Sequence, residues 1–209
     1  MKYIIWFLYV IADFAFTILC YFTNPIVVLF ADERGRLPKI FKLWQTYDNT
    51  LDVEWMVTEG IVPKIFRYNY NSHYYYVYED KSKYPCEPGK VFIVNPNFTL
   101  WERVQRYFCR LWWLYRNTGY GFSYYICGKE YNPQNIIALK DYKDTKYNEC
   151  HHYEIKDSYL WRFYYTKPWF WKFYLRIYFG WKLNHSEMTL DRAMIAFFIN
   201  PFRMIKEDE

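Results

Sequence analysis

Small and flexible residues are scarce: the chain has 7 Gly, 9 Pro and 6 Ala in 209 residues. Collagen-like repeats and low-complexity linkers are excluded by that shortage. So few alanines also weigh against a helical bundle. Cysteine is limited to Cys20, Cys86, Cys109, Cys127 and Cys150, an odd and scattered set with no CxxC. Neither a zinc ribbon nor a thioredoxin-like motif is supported, and a small disulfide scaffold is excluded. The pattern suits a reducing compartment, although four of the five still permit two bridges. P-loop, GxGxxG, GxSxG and HExxH motifs are all absent. No cofactor is therefore expected, and the reading leans away from an enzyme.

Aromatics are abundant instead: 25 Tyr, 18 Phe and 10 Trp make up 25% of the residues. Disordered chains are poor in such residues, and strands favour them. The formal charge is +5, from 27 Lys+Arg against 22 Asp+Glu, which is mildly basic and silent about fold. Its distribution is more informative. Between Thr99 and Asn117, Arg103, Arg106, Arg110 and Arg116 face a single acid, Glu102. Between Lys167 and Lys182, Lys167, Lys172, Arg176 and Lys182 face none. Both stretches interleave cations with aromatics.

Residues 3–22 (YIIWFLYVIADFAFTILCYF) contain one charge, Asp13. A helix of that length spans about 30 Å, the hydrocarbon thickness of a bilayer. A cleaved signal peptide would need a basic start, a shorter apolar core and small residues at the cleavage site, and these are missing. The segment is expected to be a membrane helix, residues 1–31, followed by a domain over 32–209. Asp13 either contacts another membrane helix or a polar pore, or sits protonated, snorkelling or interfacial. Only Lys2 precedes the run, whereas Arg34, Arg36, Lys39 and Lys42 follow it. The positive-inside rule then predicts a single-pass protein with its bulk in the cytoplasm and its N-terminus outside.

Beyond the anchor, residues 32–68 read as short turns and loops near the membrane. Residues 73–79 and 90–94 read as strands joined by turn chemistry at 84–89. Thr99-Leu100-Trp101-Glu102 is a capping box, and the apolar spacing after it predicts an amphipathic helix over 99–117. Arg103, Arg106 and Arg110 share one face of it, with Trp112 and Trp113 adjacent, a set suited to lipid headgroups. Residues 120–127 read as a strand and 130–150 as loop-rich. In 152–166, Tyr153, Ile155, Tyr159, Trp161, Phe163 and Tyr165 are placed on one side. Lys167-Pro168 is expected to turn the chain. Residues 169–183 then alternate, with apolar odd positions opposite a basic-aromatic set that includes Lys172, Tyr174, Arg176, Tyr178 and Lys182. Residues 193–199 read as a last strand or a short helix, and 206–209 as an acidic tail. The fold class is α+β: a membrane helix, a mainly antiparallel sheet and one amphipathic helix.

The segments LFADERGRLPKIFKLWQTYDNTLD (29–52), WLYRNTGYGF (113–122), FGWKL (179–183) and NPF (200–202) resemble a family of short tailed-bacteriophage proteins with a hydrophobic N-terminus. That resemblance spans nearly the whole chain. It implies a phage origin and a membrane protein, and it carries no catalytic residues.

Two clusters have the residue types for chemistry. Asp48 and Asp52 have the spacing to ligate a hard cation or serve an enzyme on an amphipathic substrate, or else they make turns and caps. Cys150, His151 and His152 are metal-type residues. Adjacent histidines on a strand point to opposite faces, however, so joint ligation needs a loop. The basic-aromatic sheet face also has the composition that binds single-stranded nucleic acid, and the anchor weighs against that partner. The expected partners are membrane lipids and a host or phage protein, with action by interaction at the cytoplasmic face.

Overall fold

The computed structural model describes residues 1–46, 49–58, 62–78, 90–183 and 191–204, of which 75–78 and 90–93 by backbone alone. The expected turn at 84–89, the tail at 206–209 and Asp48 lie outside the described residues. The fold is α+β, with a long apolar N-terminal helix and antiparallel sheets. Helix α1 spans Lys2–Val27 and α2 Glu54–Thr58, α3 covers Tyr70–His73, and strands β1 (Tyr74–Tyr78) and β2 (Lys90–Val94) pair antiparallel. Next come α4 (Leu100–Arg116), α5 (Tyr120–Tyr125), β3 (Lys129–Tyr131), β4 (Ile136–Thr145), β5 (Asn148–Ile155) and β6 (Trp161–Phe170). Strands β7 (Phe173–Trp181), β8 (Asp191–Ala193) and β9 (Ile195–Met204) complete the series.

Packing divides the chain into two compact units, one of Met1–Phe16 with Phe122–Glu209 and one of Thr17–Gly121. In the first, an antiparallel five-stranded sheet runs in the order β4-β5-β6-β7-β9, and β3 pairs with β8. Trp161, Trp181, Leu160 and Leu183 are buried at its core, with Trp6 and Tyr9 of α1 packed against them. In the second, α4 contributes Cys109, Trp113 and Leu114 to a core that includes Leu51, Met56, Val62 and Phe98. Both reciprocal bonds of the capping box form: the Glu102 amide donates to Thr99 Oγ1, and the Thr99 amide donates to Glu102 Oε2 at 2.9 Å. Among the described residues, Cys109, Cys127 and Cys150 are buried thiols outside any bridge, and Cys20 is buried as well.

Alternation locates the odd face of β7 correctly. Cross-strand partners share a face, and Phe179 lies opposite Phe163 while Ile177 lies opposite Tyr165. Four local expectations are overturned. Residues 120–125 are helical, closed by the Ile126 amide donating to the Phe122 carbonyl at 2.9 Å; eight residues are too few for period two to decide. Residues 130–150 form strands. Their polar composition mimics a loop because β4 is an edge strand and almost wholly exposed. The chain turns at Trp171, with φ +47°, and not at Pro168. Pro168 is tolerated because β5 pairing ends at Thr166, leaving that end of β6 with a neighbour on one side only. Finally, the turn between β5 and β6 places Tyr153 opposite Arg162, so it does not share the face of Trp161 and Phe163.

Gly180 fixes how β7 crosses Trp161. Its φ is +91°, and a Cβ there would fall 2.1 Å from the Trp161 carbonyl oxygen. Gly180→Ala is expected to cost about 1–3 kcal/mol from backbone strain before any displacement of β6 is counted. Denaturant unfolding followed by tryptophan fluorescence reads that loss.

Candidate functional site

The most unusual feature is how α1 distributes its side chains. Ile4, Phe7, Leu8, Ile11, Phe14, Ile18, Phe22 and Ile26 are exposed and recur at three- and four-residue spacing, which puts them on one side of the helix. Every exposed residue from Tyr3 to Phe30 is aliphatic or aromatic. The polar residues Lys2, Asp13, Thr17, Thr23 and Asn24 lie on the sheltered side with Trp6 and Cys20. In the first unit, the Lys2 ammonium pairs with the Glu154 carboxylate, and Trp6 Nε1 donates to the Ala196 carbonyl at 3.3 Å. The Trp6 ring meets Trp161 edge-on at 5.3 Å. In the second unit, Trp44 Nε1 donates to Thr23 Oγ1 at 2.8 Å and the Tyr107 hydroxyl donates to the Pro25 carbonyl at 3.0 Å. A surface helix of a soluble protein has the opposite polarity. By length and composition, α1 is apolar enough to cross a membrane.

Of the anticipated interface residues, Asp13, Arg176 and Lys182 come together around one cavity of the first unit. Arg176 lies against the rings of Tyr164 and Phe198 at 5.2 and 5.7 Å. Lys172 is exposed beside the β6–β7 turn, where Trp169, Phe170 and Trp171 are 58%, 65% and 80% exposed.

His151 and His152 face opposite sides of β5, opposite Tyr164 and Phe163 respectively. His151 Nδ1 is 2.6 Å from Asp141 Oδ1, and Nε2 is 3.2 Å from Glu149 Oε2. The Tyr153 hydroxyl donates to Asp141 Oδ2 at 2.8 Å. Burial first, and that hydrogen bond second, push the Tyr153 phenol up to about 12, so it remains a donor at neutral pH. The cluster ties β4 to β5 through side chains. Cys150 is on the other face, 2% exposed, and burial pushes its thiol up, which does not suit a nucleophile. No group of three metal-type ligands occurs among the described residues.

In the second unit Asp52 is clamped by two arginines of α4. Arg110 Nε and Nη2 donate to Oδ1 and Oδ2 at 2.7 and 2.6 Å, and Arg106 Nη2 donates to Oδ2 at 2.8 Å. The same Nη2 groups also donate to main-chain carbonyls, Arg110 to Asp32 at 2.8 Å and Arg106 to Glu33. Arg106 also lies 4.5 Å over the Phe98 ring. Burial opposes ionisation of Asp52, but the hydrogen bonds and charges of Arg110 and then Arg106 outweigh it and hold the carboxyl below its usual range. With both oxygens committed, Asp52 is a structural anion, and Arg106 and Arg110 are half-buried and buried around it. Gly35, φ +69°, lets the loop close over the pair, because a Cβ there would fall 2.7 Å from Asp52 Oδ2. The Asp32 carboxylate accepts from the Arg34 and Arg36 amides at 2.9 and 2.7 Å. The DERGR segment and Asp52 thus form one polar centre. Trp113 is buried in the core beside it, while Arg103 and Trp112 remain exposed. Neither Asp32 nor Gly35 had a recognisable signal beyond the motif itself.

The model of a family of unknown function (DUF7338) matches residues 1–207, and the chain belongs to that family. No curated protein and no solved structure matches.

Removing the clamped anion should be severe. Asp52→Ala strands buried guanidinium charge and is expected to cost about 3–5 kcal/mol. Because the folded-state pKa of Asp52 is depressed, its contribution is complete above the unfolded value of about 3.9 and disappears as pH falls through the lower folded value. Unfolding midpoints measured from pH 7 to pH 2.5 should therefore show the gap between wild type and variant closing only below about pH 4.

Proposed function

We propose, taking membership of that family as the premise, that this is a membrane-anchored accessory protein acting by interaction at the cytoplasmic face of a host membrane. The observation that carries the reading is the wholly apolar exposed side of α1. Each large side chain there gains about 1.5–3 kcal/mol on full transfer out of water, and a continuous row of them exceeds what soluble monomers leave exposed.

The sheltered side of the same helix supports one way of entering the membrane. Residues 3–13 pack against a sheet whose edge strand exposes Lys140, Asp141, Lys143 and Asp144. Residues 20–27 carry Cys20, Asn24 and Val27 buried in the second unit. A helix spanning the hydrocarbon would carry such charged structure into it. An in-plane helix with one side in the acyl region requires no such burial. This placement is an alternative to the single-pass arrangement expected from the sequence, for which α1 is long and apolar enough. Arg34, Arg36, Lys39 and Lys42 are exposed just beyond the helix, beside Ile40, and suit the anionic cytoplasmic leaflet. A bacterial inner membrane and a tailed-phage source rest on the sequence resemblance alone. The nucleic-acid reading loses ground because Arg162 and Arg176 already stack on Tyr164, and Arg162 on Tyr178 as well.

Flotation with liposomes of mixed neutral and anionic lipid tests the anchor. Wild type should float, and the double variant Phe14→Lys, Ile18→Lys should stay in the soluble fraction with unchanged circular dichroism. Full-length protein that is monomeric and soluble without detergent or lipid would sink the reading. Protease accessibility of tags at the two ends in sealed vesicles separates the geometries: both on one side for an in-plane helix, on opposite sides for a spanning one.

A further inference from the structure

The first unit has a cavity of about 340 Å³ beside the sheltered side of α1. Three cations line it, Arg176 from β7, Lys182 just after β7 and Arg203 from β9, together with one acid, Asp13. Lys182 and Arg203 are exposed at its rim and Arg176 is half-buried, so the cavity is an accessible recess lined by cations from two strands. Arg176 Nε and Asp13 Oδ1 are both enclosed and have no hydrogen-bond partner. Arg176 is therefore held by rings, not by an acceptor, with its guanidinium stacked on Tyr164 and Phe198. Such stacking fixes the plane of a guanidinium and leaves its N–H edge for a planar or tetrahedral oxyanion. The rest of the lining includes Ile195, Tyr178 and the exposed Phe197 and Phe198, so the cavity offers apolar surface next to the charges.

We propose that this cavity binds a phosphate group carried on an apolar tail, as in the headgroup of an anionic phospholipid. Arg176, Lys182 and Arg203 neutralise the phosphate, and Phe198 and Ile195 meet the adjoining hydrocarbon. Asp13, the one acid of the lining, opposes an anion and lowers the affinity. The inference deepens the membrane reading and assigns Asp13, the one charge in the middle of α1, to the protein's interior and not to a neighbouring membrane helix.

The test uses full-length protein in neutral detergent, titrated with water-soluble short-chain phosphatidylglycerol, short-chain phosphatidylcholine and inorganic phosphate. Phosphatidylglycerol should bind more tightly than the other two. Arg176→Gln and Arg203→Gln should each weaken it about tenfold. Asp13→Asn should tighten it by about threefold or more, because an opposing charge is removed. The opposite signs separate ligand binding from fold maintenance, since damage to the fold would weaken binding in every variant. Equal binding of the two lipids, or an Asp13→Asn variant that binds less, would overturn the proposal. Inorganic phosphate binding as tightly as the lipid would keep the anion but overturn the apolar tail. The two readings fail separately. A protein that floats with neutral liposomes but ignores headgroup charge retains the anchor without the site, and a soluble protein that binds the short-chain lipid retains the site without the anchor.

Discussion

One constraint governs this molecule: α1 keeps its charged and amide groups on the side that packs and leaves only aliphatic and aromatic side chains outside. Lys2 on Glu154, Trp6 on the Ala196 carbonyl and Trp44 on Thr23 are directional contacts that fix the rotation of the helix about its axis. Once the rotation is fixed, Phe7, Phe14, Ile18 and Phe22 have nowhere to go but outward. Hydrophobic burial alone would have turned them in. Against hydrocarbon the polar contacts win, because an unpaired ammonium or carboxylate on the outer side would lose its hydration with nothing to replace it. The membrane reading follows from that orientation and not from hydropathy alone.

A second organising feature is the paired use of arginine. In one unit Arg106 and Arg110 are held by a carboxylate and carbonyls, and both Nε groups donate to Asp52. In the other, Arg162 and Arg176 are held mainly by tyrosine faces, and each has an Nε without an acceptor. The first arrangement commits both Nε groups to a carboxylate and is therefore structural. The second leaves hydrogen-bonding capacity within reach of a cavity, which is why the ligand proposal rests there. Residue type does not separate the two cases, because both runs were basic and aromatic in sequence.

Local physics was readable along the chain. The capping box at Thr99 forms as its spacing dictates, since both of its hydrogen bonds lie within four residues. The odd-even division of β7 was equally clear, because an apolar set at period two has only one way to face a core. Strands β4 and β5 were obscured by the polar side chains that an edge demands, and α5 was too short for its pattern to be diagnostic. The turn at Trp171 was displaced from Pro168 because the missing neighbour of β6 is a property of the sheet.

The sequence by itself determined the α+β class, the long apolar helix, the start of α4 and the apolar face of the main sheet, since each depends on spacing within a few residues. Tertiary structure alone decided the rest. Asp52 became a clamped anion only when α4 brought two arginines to it across more than fifty residues of chain. His151 became a cross-strand tie when β4 supplied Asp141. Asp13 met Arg176 and Lys182 only through the packing of α1 on the first unit. Charge strength and availability depend on distance and burial, and both are set by contacts between residues far apart in the chain.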